Sequence, residues 1–305
     1  MAAHRTTHAE WALLSKPPED SGDYRILACS RGPSWAAQFE VLVLGTLFGT
    51  PSQWTTAGAA AENLPWISFG VARDPADGAR RLSVSVGEWL PHERASWDSV
   101  GRRPVAVRYF AVGYEHVAAA RGGLLDLWEA VRPLELPPPA TSPGAEGVLP
   151  LRLPEDPLPR LARLIDDSVG FEWAAHTAAA LLAGPVGLVA HTSPFAQQRI
   201  GTMDAVLGLL PYGYRATMTC ATWAPEPRAA EPWLCYTHPG RTDGRRLVHE
   251  GAVPTPLTGT AGRHLERVRR LRERDGTLGA LRALASFTRP EDRPGGAEGG
   301  PRWNR

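Results

Sequence analysis

The sequence is poor in cysteine and balanced in charge, and both properties restrict its function. Only three cysteines occur in the 305 residues, Cys29, Cys220 and Cys235, and no two of them form a CxxC pair. This usage does not match a disulfide-bonded framework and favours a reducing, cytoplasmic environment. The chain carries 33 basic and 32 acidic side chains, so its net charge is +1. Because no excess of positive charge attracts nucleic acid or an anionic membrane, we expect neither as a partner.

Long apolar runs and common ligand motifs are also missing. No stretch of about 18 uncharged apolar residues occurs, and the first residues lack the apolar centre of a signal peptide, so we expect a soluble cytoplasmic protein. There is no GxxxxGK[ST] segment, which makes NTP hydrolysis by a P-loop unexpected. HExxH is absent, and the nine histidines show no ligand spacing. The sequence therefore predicts no metal and no cofactor.

A proline-rich segment divides the chain. Residues 136–157 read LPPPATSPGAEGVLPLRLPEDP, and so many prolines disfavour both a helix and a central strand. We predict a semi-rigid linker here, between an N-terminal mixed α/β domain at residues 10–135 and a C-terminal α/β domain at residues 158–287. Residues 288–305 have the composition of a disordered tail. The predicted fold class is α+β, with two mixed α/β domains.

Apolar periodicity predicts strands and helices in both domains. For the first domain it predicts strands at residues 11–15, 24–29, 65–71, 80–90 and 104–113 and helices at residues 33–49 and 114–131. For the second it predicts a helix at 158–182, a β-α-β unit at 182–223, a strand at 233–237 and a basic amphipathic helix at 264–287. The alternation of apolar residues and serines at 82–86 predicts a strand with one solvent-exposed face. Acidic residues within the last helix favour a salt-bridged outer face.

Residues 184–223 are the most informative part of the second domain. Met203, Val206 and Leu210 recur at helical spacing between two apolar runs, and Pro211 ends the helix. The pattern predicts a crossover helix packed on a sheet. It contains no set of residues whose spacing dictates a reaction.

Cys220 is one candidate for chemistry. It lies in a predicted strand, and His191 ends the preceding one, so adjacent parallel strands would bring the two side chains together. With Asp204 they would form the nucleophile set of a cysteine-dependent hydrolase or transferase. The competing interpretation, which we favour, is that Cys220 is a small buried residue of a core strand, as free cysteines commonly are.

Arg215 is a candidate for binding. It follows a predicted tight turn and is flanked by Tyr212 and Tyr214. Its guanidinium could bind a phosphate, a carboxylate or an acidic loop of a partner, and we take Tyr212, Tyr214 and Arg215 as the predicted partner-binding residues. The alternative is an internal ion pair of Arg215 with a carboxylate such as Asp204.

Several segments are similar to blocks of a bacterial protein family. They read LPWISFGVA, VSVGEWLPHE, GRRPVAVRYFAVGYEHVA with LLDLWEAV, LLAGPVGLV and MDAVLGLLPYGYRATMTCATW. Through them the chain resembles, over roughly residues 10–240, the GTPase-associated scaffold proteins that high-GC bacteria encode beside NTPase-centred conflict systems. The resemblance implies an adaptor that works next to a GTPase or related switch rather than an enzyme, and it identifies no catalytic residue.

Two classes of function therefore remain. The first is a non-enzymatic scaffold, adaptor or sensor whose partner is a protein such as a nearby-encoded GTPase or other NTPase. The second is the cysteine-dependent enzyme built on Cys220 and His191. Burial of Cys220 among aliphatic residues favours the scaffold, whereas an open pocket holding both side chains favours the enzyme.

Overall fold

The strands of the protein join into one mixed sheet. The computed structural model describes residues 3–16, 23–47, 65–89, 105–137, 147–190, 195–215, 217–224, 232–237, 239, 245–252 and 255–289. The strands are β1 (His4–Ser15), β2 (Arg25–Cys29), β3 (Trp66–Arg73), β4 (Arg80–Trp89), β5 (Val105–Gly113), β6 (Leu149–Pro154), β7 (Val186–Val189), β8 (Cys220–Ala221), β9 (Leu234–Tyr236) and β10 (Arg246–His249).

Helices pack on this sheet and on one another. They are α1 (Ala36–Thr46), α2 (Tyr114–Ala120), α3 (Leu124–Val131), α4 (Leu158–Leu164), α5 (Phe171–Ala180), α6 (Ala196–Gly208), the single turn α7 (Tyr212–Arg215) and α8 (Gly259–Ala285). A 3-10 turn at Pro33–Trp35 precedes α1, and a π-helical turn at Ile165–Val169 separates α4 from α5. None of the helices in the described part of the chain has the length and apolar character that crossing a bilayer requires.

The sheet combines a parallel and an antiparallel half. Its order is β10, β7, β9, β8, β3, β4, β5, β1 and β2, and β6 pairs with the first half of β1. Pairing is parallel from β10 through β7 and β9 to β8. From β8 through β3 to β2 it is antiparallel. The first two strands along the chain, β1 and β2, pair antiparallel.

The strand with serines is buried on both faces, so the predicted solvent-exposed face of β4 is wrong. Ser83 and Ser85 are each 1 % exposed, because α1 covers the face on which they lie. Small residues let the helix approach closely: a Cβ on Gly70 would lie 2.6 Å from the Cγ2 of Thr46. The hydroxyls of Thr46 and Ser85 are 3.1 Å apart and satisfy each other across the contact.

The structure confirms a mixed α/β fold but does not confirm two domains joined by a proline-rich linker. β8, from the predicted second domain at 158–287, pairs antiparallel with β3, from the predicted first domain at 10–135. Within the predicted linker at 136–157, Leu149–Pro154 forms β6 and pairs with β1. Among the described strands β6 pairs only with β1, so no second described neighbour needs the N–H that Pro150 and Pro154 lack.

Several predicted elements are interrupted. The predicted helix at 114–131 is two helices, because Arg121 adopts a left-handed conformation with φ of 55° and Gly122 and Gly123 follow it. The predicted helix at 158–182 is broken at Gly170, whose φ is 87°. In the predicted tail at 288–305, the first two residues are described and pack on the chain, and the others lie outside the described residues.

The β-α-β prediction is correct for its helix and incomplete for its strands. Met203 and Val206 of α6 are fully buried and Leu210 is 1 % exposed, as expected for a crossover helix. However, β9 lies between β7 and β8, so the two predicted strands are not adjacent. The salt-bridged outer face of α8 is confirmed, for example where Arg269 contacts Glu172 and Glu266.

Candidate functional site

Three of the residues singled out from the sequence line one cavity. Asp204 from α6, Tyr212 and Arg215 from α7 surround a partly enclosed space of about 40 Å³ between the sheet and the helices. The rest of the lining is mostly apolar and is formed by Phe69, Gly70, Leu82, Ser83, Gly122, Gly123, Leu124, Leu127, Leu207 and Met218. An apolar cavity with a few convergent polar groups has the general character of a small-ligand site, here at a small size.

Asp204 is held by the beginning of α3. Its Oδ1 accepts a hydrogen bond from the N–H of Leu124 at 2.9 Å, and its Oδ2 accepts one from Leu125 at 3.4 Å. These donors have no partner within their own helix, and the helix dipole favours a carboxylate there. Gly123 makes the approach possible, because a Cβ at this position would lie 2.2 Å from the Asp204 Oδ1.

A second carboxylate completes the cap of the same helix. Asp126 accepts a hydrogen bond from the N–H of Gly123 at 2.8 Å and forms an ion pair with Arg160 at 2.6 Å. Burial, together with the nearby charge of Asp204, raises the pKa of Asp126 to about 6. Burial also raises the pKa of Asp204, although Arg215 and the N–H groups of Leu124 and Leu125 oppose the shift.

Arg215 lies in the interior at 7 % exposure. Its Nη2 donates to the carbonyl oxygen of Arg121 at 3.3 Å, and its guanidinium stacks over the ring of Tyr212 at 4.1 Å. Within the described part of the chain, Asp204 and Arg215 form no direct ion pair, although both line the cavity and Arg215 stabilises the ionised form of Asp204. The sequence suggested an internal ion pair of Arg215 with Asp204 as an alternative. In the structure the two charges attract each other across a cavity without direct contact.

The turn predicted to bind a partner is largely covered by the C-terminal end of the described chain. Tyr212 is 1 % exposed and donates from its hydroxyl to the carbonyl oxygen of Gly122 at 2.9 Å. The N–H of Gly213 donates to the carbonyl oxygen of Phe287 at 2.7 Å. Tyr212 and Arg215 are therefore interior residues, and only Tyr214 of the three is partly exposed.

The alternative nucleophile set is not assembled by the described residues. Cys220 is fully buried in β8, and burial raises the pKa of its thiol, which disfavours the reactive thiolate. Asp204 is engaged at the beginning of α3, and His191 lies outside the described residues. β9 separates the strand of Cys220 from the strand that precedes His191, so the expected adjacency is wrong.

The sequence patterns considered above did not predict Gly123 and Asp126 as site residues, although the sequence contains a signal for them. A glycine pair at 122–123 ends one helical pattern, and an acidic residue follows three positions after Gly123. A small residue followed by an acidic one at this spacing is a helix-start signal. Asp204 carries no such signal, because its partners are about 80 positions away in the chain.

No protein-family model matches the chain, and the comparison with curated proteins gives no match. Among the described residues, no group of three or more His, Cys, Asp or Glu side chains is arranged to hold a metal ion. The cavity wall combines the buried side chains of Asp204 and Arg215 with mostly apolar neighbours.

Proposed function

We propose that the protein is a non-enzymatic scaffold, adaptor or sensor that works beside a GTPase or related NTPase in bacterial defence or signalling. The observation that carries the proposal against the cysteine-dependent enzyme is the complete burial of Cys220. A nucleophile must reach its substrate as a thiolate, and this thiol lies within a sheet with its pKa raised by desolvation.

The resemblance to GTPase-associated scaffold proteins supplies the class of partner. The described parts of the segments that carry it include β5, most of β3 and β4, and the C-terminal part of α6. The GTPase itself is inferred only from the resemblance.

Two surfaces are candidates for the contact. The first is the predicted one around α7, where Tyr214 is partly exposed. The second is the outer face of α1, where Val41 is 72 % and Leu44 is 52 % exposed. Exposed apolar side chains on neighbouring turns of one helix are a common feature of protein contacts, so both surfaces enter the experiment.

The test is affinity capture of the full-length protein from its native host, followed by identification of the captured proteins by mass spectrometry. We expect a GTPase or related NTPase, and we expect the purified pair to bind with an affinity that differs between GDP and a non-hydrolysable GTP analogue. A captured protein with no nucleotide-dependent binding does not support the proposal.

Two variants locate the contact. Tyr214→Ala should weaken binding of the purified NTPase if the turn is the contact, and Val41→Asp should do so if the face of α1 is. Melting temperatures of both variants control for folding. Turnover of an ester or amide substrate that Cys220→Ser abolishes, with the fold intact, would overturn the proposal in favour of the enzyme.

A further inference from the structure

Two opposite buried charges line the cavity without touching each other. Asp204 is 3 % exposed and Arg215 is 7 % exposed, and both belong to the cavity wall. Within the described part of the chain the guanidinium makes a single side-chain hydrogen bond, to the carbonyl oxygen of Arg121. A guanidinium has five N–H donors, so Arg215 can donate further hydrogen bonds to a molecule that enters the cavity. The cavity between the two groups is where a bound molecule can serve both.

The charge arrangement selects the type of molecule. An anion in this space meets the carboxylate of Asp204, and a cation meets the guanidinium of Arg215. A neutral molecule with an acceptor at one end and N–H donors at the other interacts favourably with both. The helix N-terminus nearby is not available to an anion, because Asp204 already accepts its N–H bonds.

We propose that this cavity binds a small neutral amide, with its carbonyl oxygen towards Arg215 and its N–H groups towards Asp204. The volume of about 40 Å³ limits the molecule to a few heavy atoms. The apolar part of the wall, which includes Leu82, Leu127 and Leu207, accommodates a methyl group on the carbonyl carbon of the amide. The inference is independent of the proposed NTPase partner, since it rests on the cavity alone.

The experiment compares three probes of the same shape and different charge: acetamide, acetate and acetamidinium. Each is titrated into the full-length protein, and binding is followed by NMR shifts of the backbone amides of residues 122–127 and 204–218. For a ligand of four heavy atoms, the ceiling on affinity per atom limits Kd to values no tighter than about 4 × 10⁻⁵ M. We expect acetamide to bind at least tenfold more tightly than either charged probe.

Two variants reverse the selectivity. Asp204→Asn keeps an oxygen for the N–H of Leu124 and removes the negative charge, so acetate should become the preferred probe. Arg215→Met removes the positive charge at similar length, so acetamidinium should become the preferred probe. Arg282→Met, a half-exposed arginine of α8 paired with Asp156, is the control and should leave the order of the probes unchanged.

The proposal is overturned if acetamide shows no saturable binding below about 10 mM, or if the three probes bind equally. It is also overturned if Arg215→Met folds and binds acetamide as the original protein does. Should Asp204→Asn fail to fold, the probe comparison on the unmodified protein and the Arg215→Met arm still decide the question.

Discussion

At the scale of single residues, the burial of His264 makes the stability of the fold depend on pH. It is 3 % exposed on α8, and its Nε2 donates to the carbonyl oxygen of Leu209 at 2.9 Å. Burial lowers the pKa of this imidazole to about 4 from an ordinary value of 6.5, and the charge of Arg267 adds to the effect. Between these two values the unfolded chain binds the extra proton, so stability is lost as the pH falls through this window.

We therefore expect His264 to reduce the free energy of unfolding by about 3 kcal/mol between pH 6.5 and 4. The matched variant is His264→Gln, which keeps an N–H for the carbonyl oxygen of Leu209 and does not titrate. The measurement is the free energy of unfolding of both proteins, from denaturation curves at a series of pH values. The comparison with the variant is needed because Asp126, whose pKa is raised, acts in the opposite direction. Its contribution to the free energy of unfolding is lost as the pH rises towards 6, and it cancels when the two proteins are compared. Parallel pH profiles for the two proteins would contradict the assignment.

The three thiols give a second residue-scale prediction. Cys29 is 5 % exposed, and Cys220 and Cys235 are fully buried. We expect none of them to react with a maleimide in the native protein on the timescale of minutes, and all three to react in denaturant, because reaction requires an accessible thiolate. Mass spectrometry of the labelled chain counts the modified thiols. Rapid labelling of Cys220 in the native protein would contradict its burial and favour the cysteine-dependent enzyme.

At the scale of elements, the contact between α7 and the chain after α8 depends on Gly213. A Cβ at this position would lie 1.8 Å from the carbonyl oxygen of Arg289, a separation that no real contact allows. Gly213→Ala must therefore push the two segments apart and weaken the hydrogen bond from Gly213 to Phe287. We expect a loss of about 1–3 kcal/mol in the free energy of unfolding and faster hydrogen exchange at residues 286–289.

Gly45 is the matched control, since it lies in α1 and a Cβ added there would meet no heavy atom within 4 Å. Gly45→Ala should stabilise the protein by up to about 1 kcal/mol, because alanine has the higher helix propensity. If Gly213→Ala were equally harmless, the packing of residues 287–289 on α7 would not exist in solution.

At the scale of the whole molecule, the sheet determines how the protein unfolds. The antiparallel pair of β3 and β8 joins Ser68 to Ala221 and Phe69 to Cys220, and the hydrophobic core runs from Trp11 to Leu284 without a break between the halves. Removing either half would expose the apolar surface of the other. We therefore expect one cooperative transition.

The measurement is urea denaturation followed by two probes, far-ultraviolet circular dichroism and hydrogen exchange of amides in β5 and β9. Coincident transitions, with the same free energy of opening for both strands, are the expected result. Two separated transitions would restore the division at residues 136–157.

Local patterns in the sequence were sufficient to predict most of the elements and the core face of α6. A helix and a strand differ in the period at which apolar residues recur, and this period depends only on neighbours in the chain. It distinguishes the spacing of Met203 and Val206 from the β-branched runs of β3 to β5. The glycine pair at 122–123 and Asp126 could have been read in the same way. The burial of Cys220 was also expected from residue type.

Only the tertiary structure decided which strands are neighbours and which polar residues meet. β6 pairs with the first half of β1 across more than 130 positions, and β9 enters the sheet between β7 and β8. Asp204 caps a helix that begins at Leu124, and it faces Arg215 across the same cavity. Such contacts are selected by the total burial and hydrogen bonding of the folded chain, and no local period in the sequence records them.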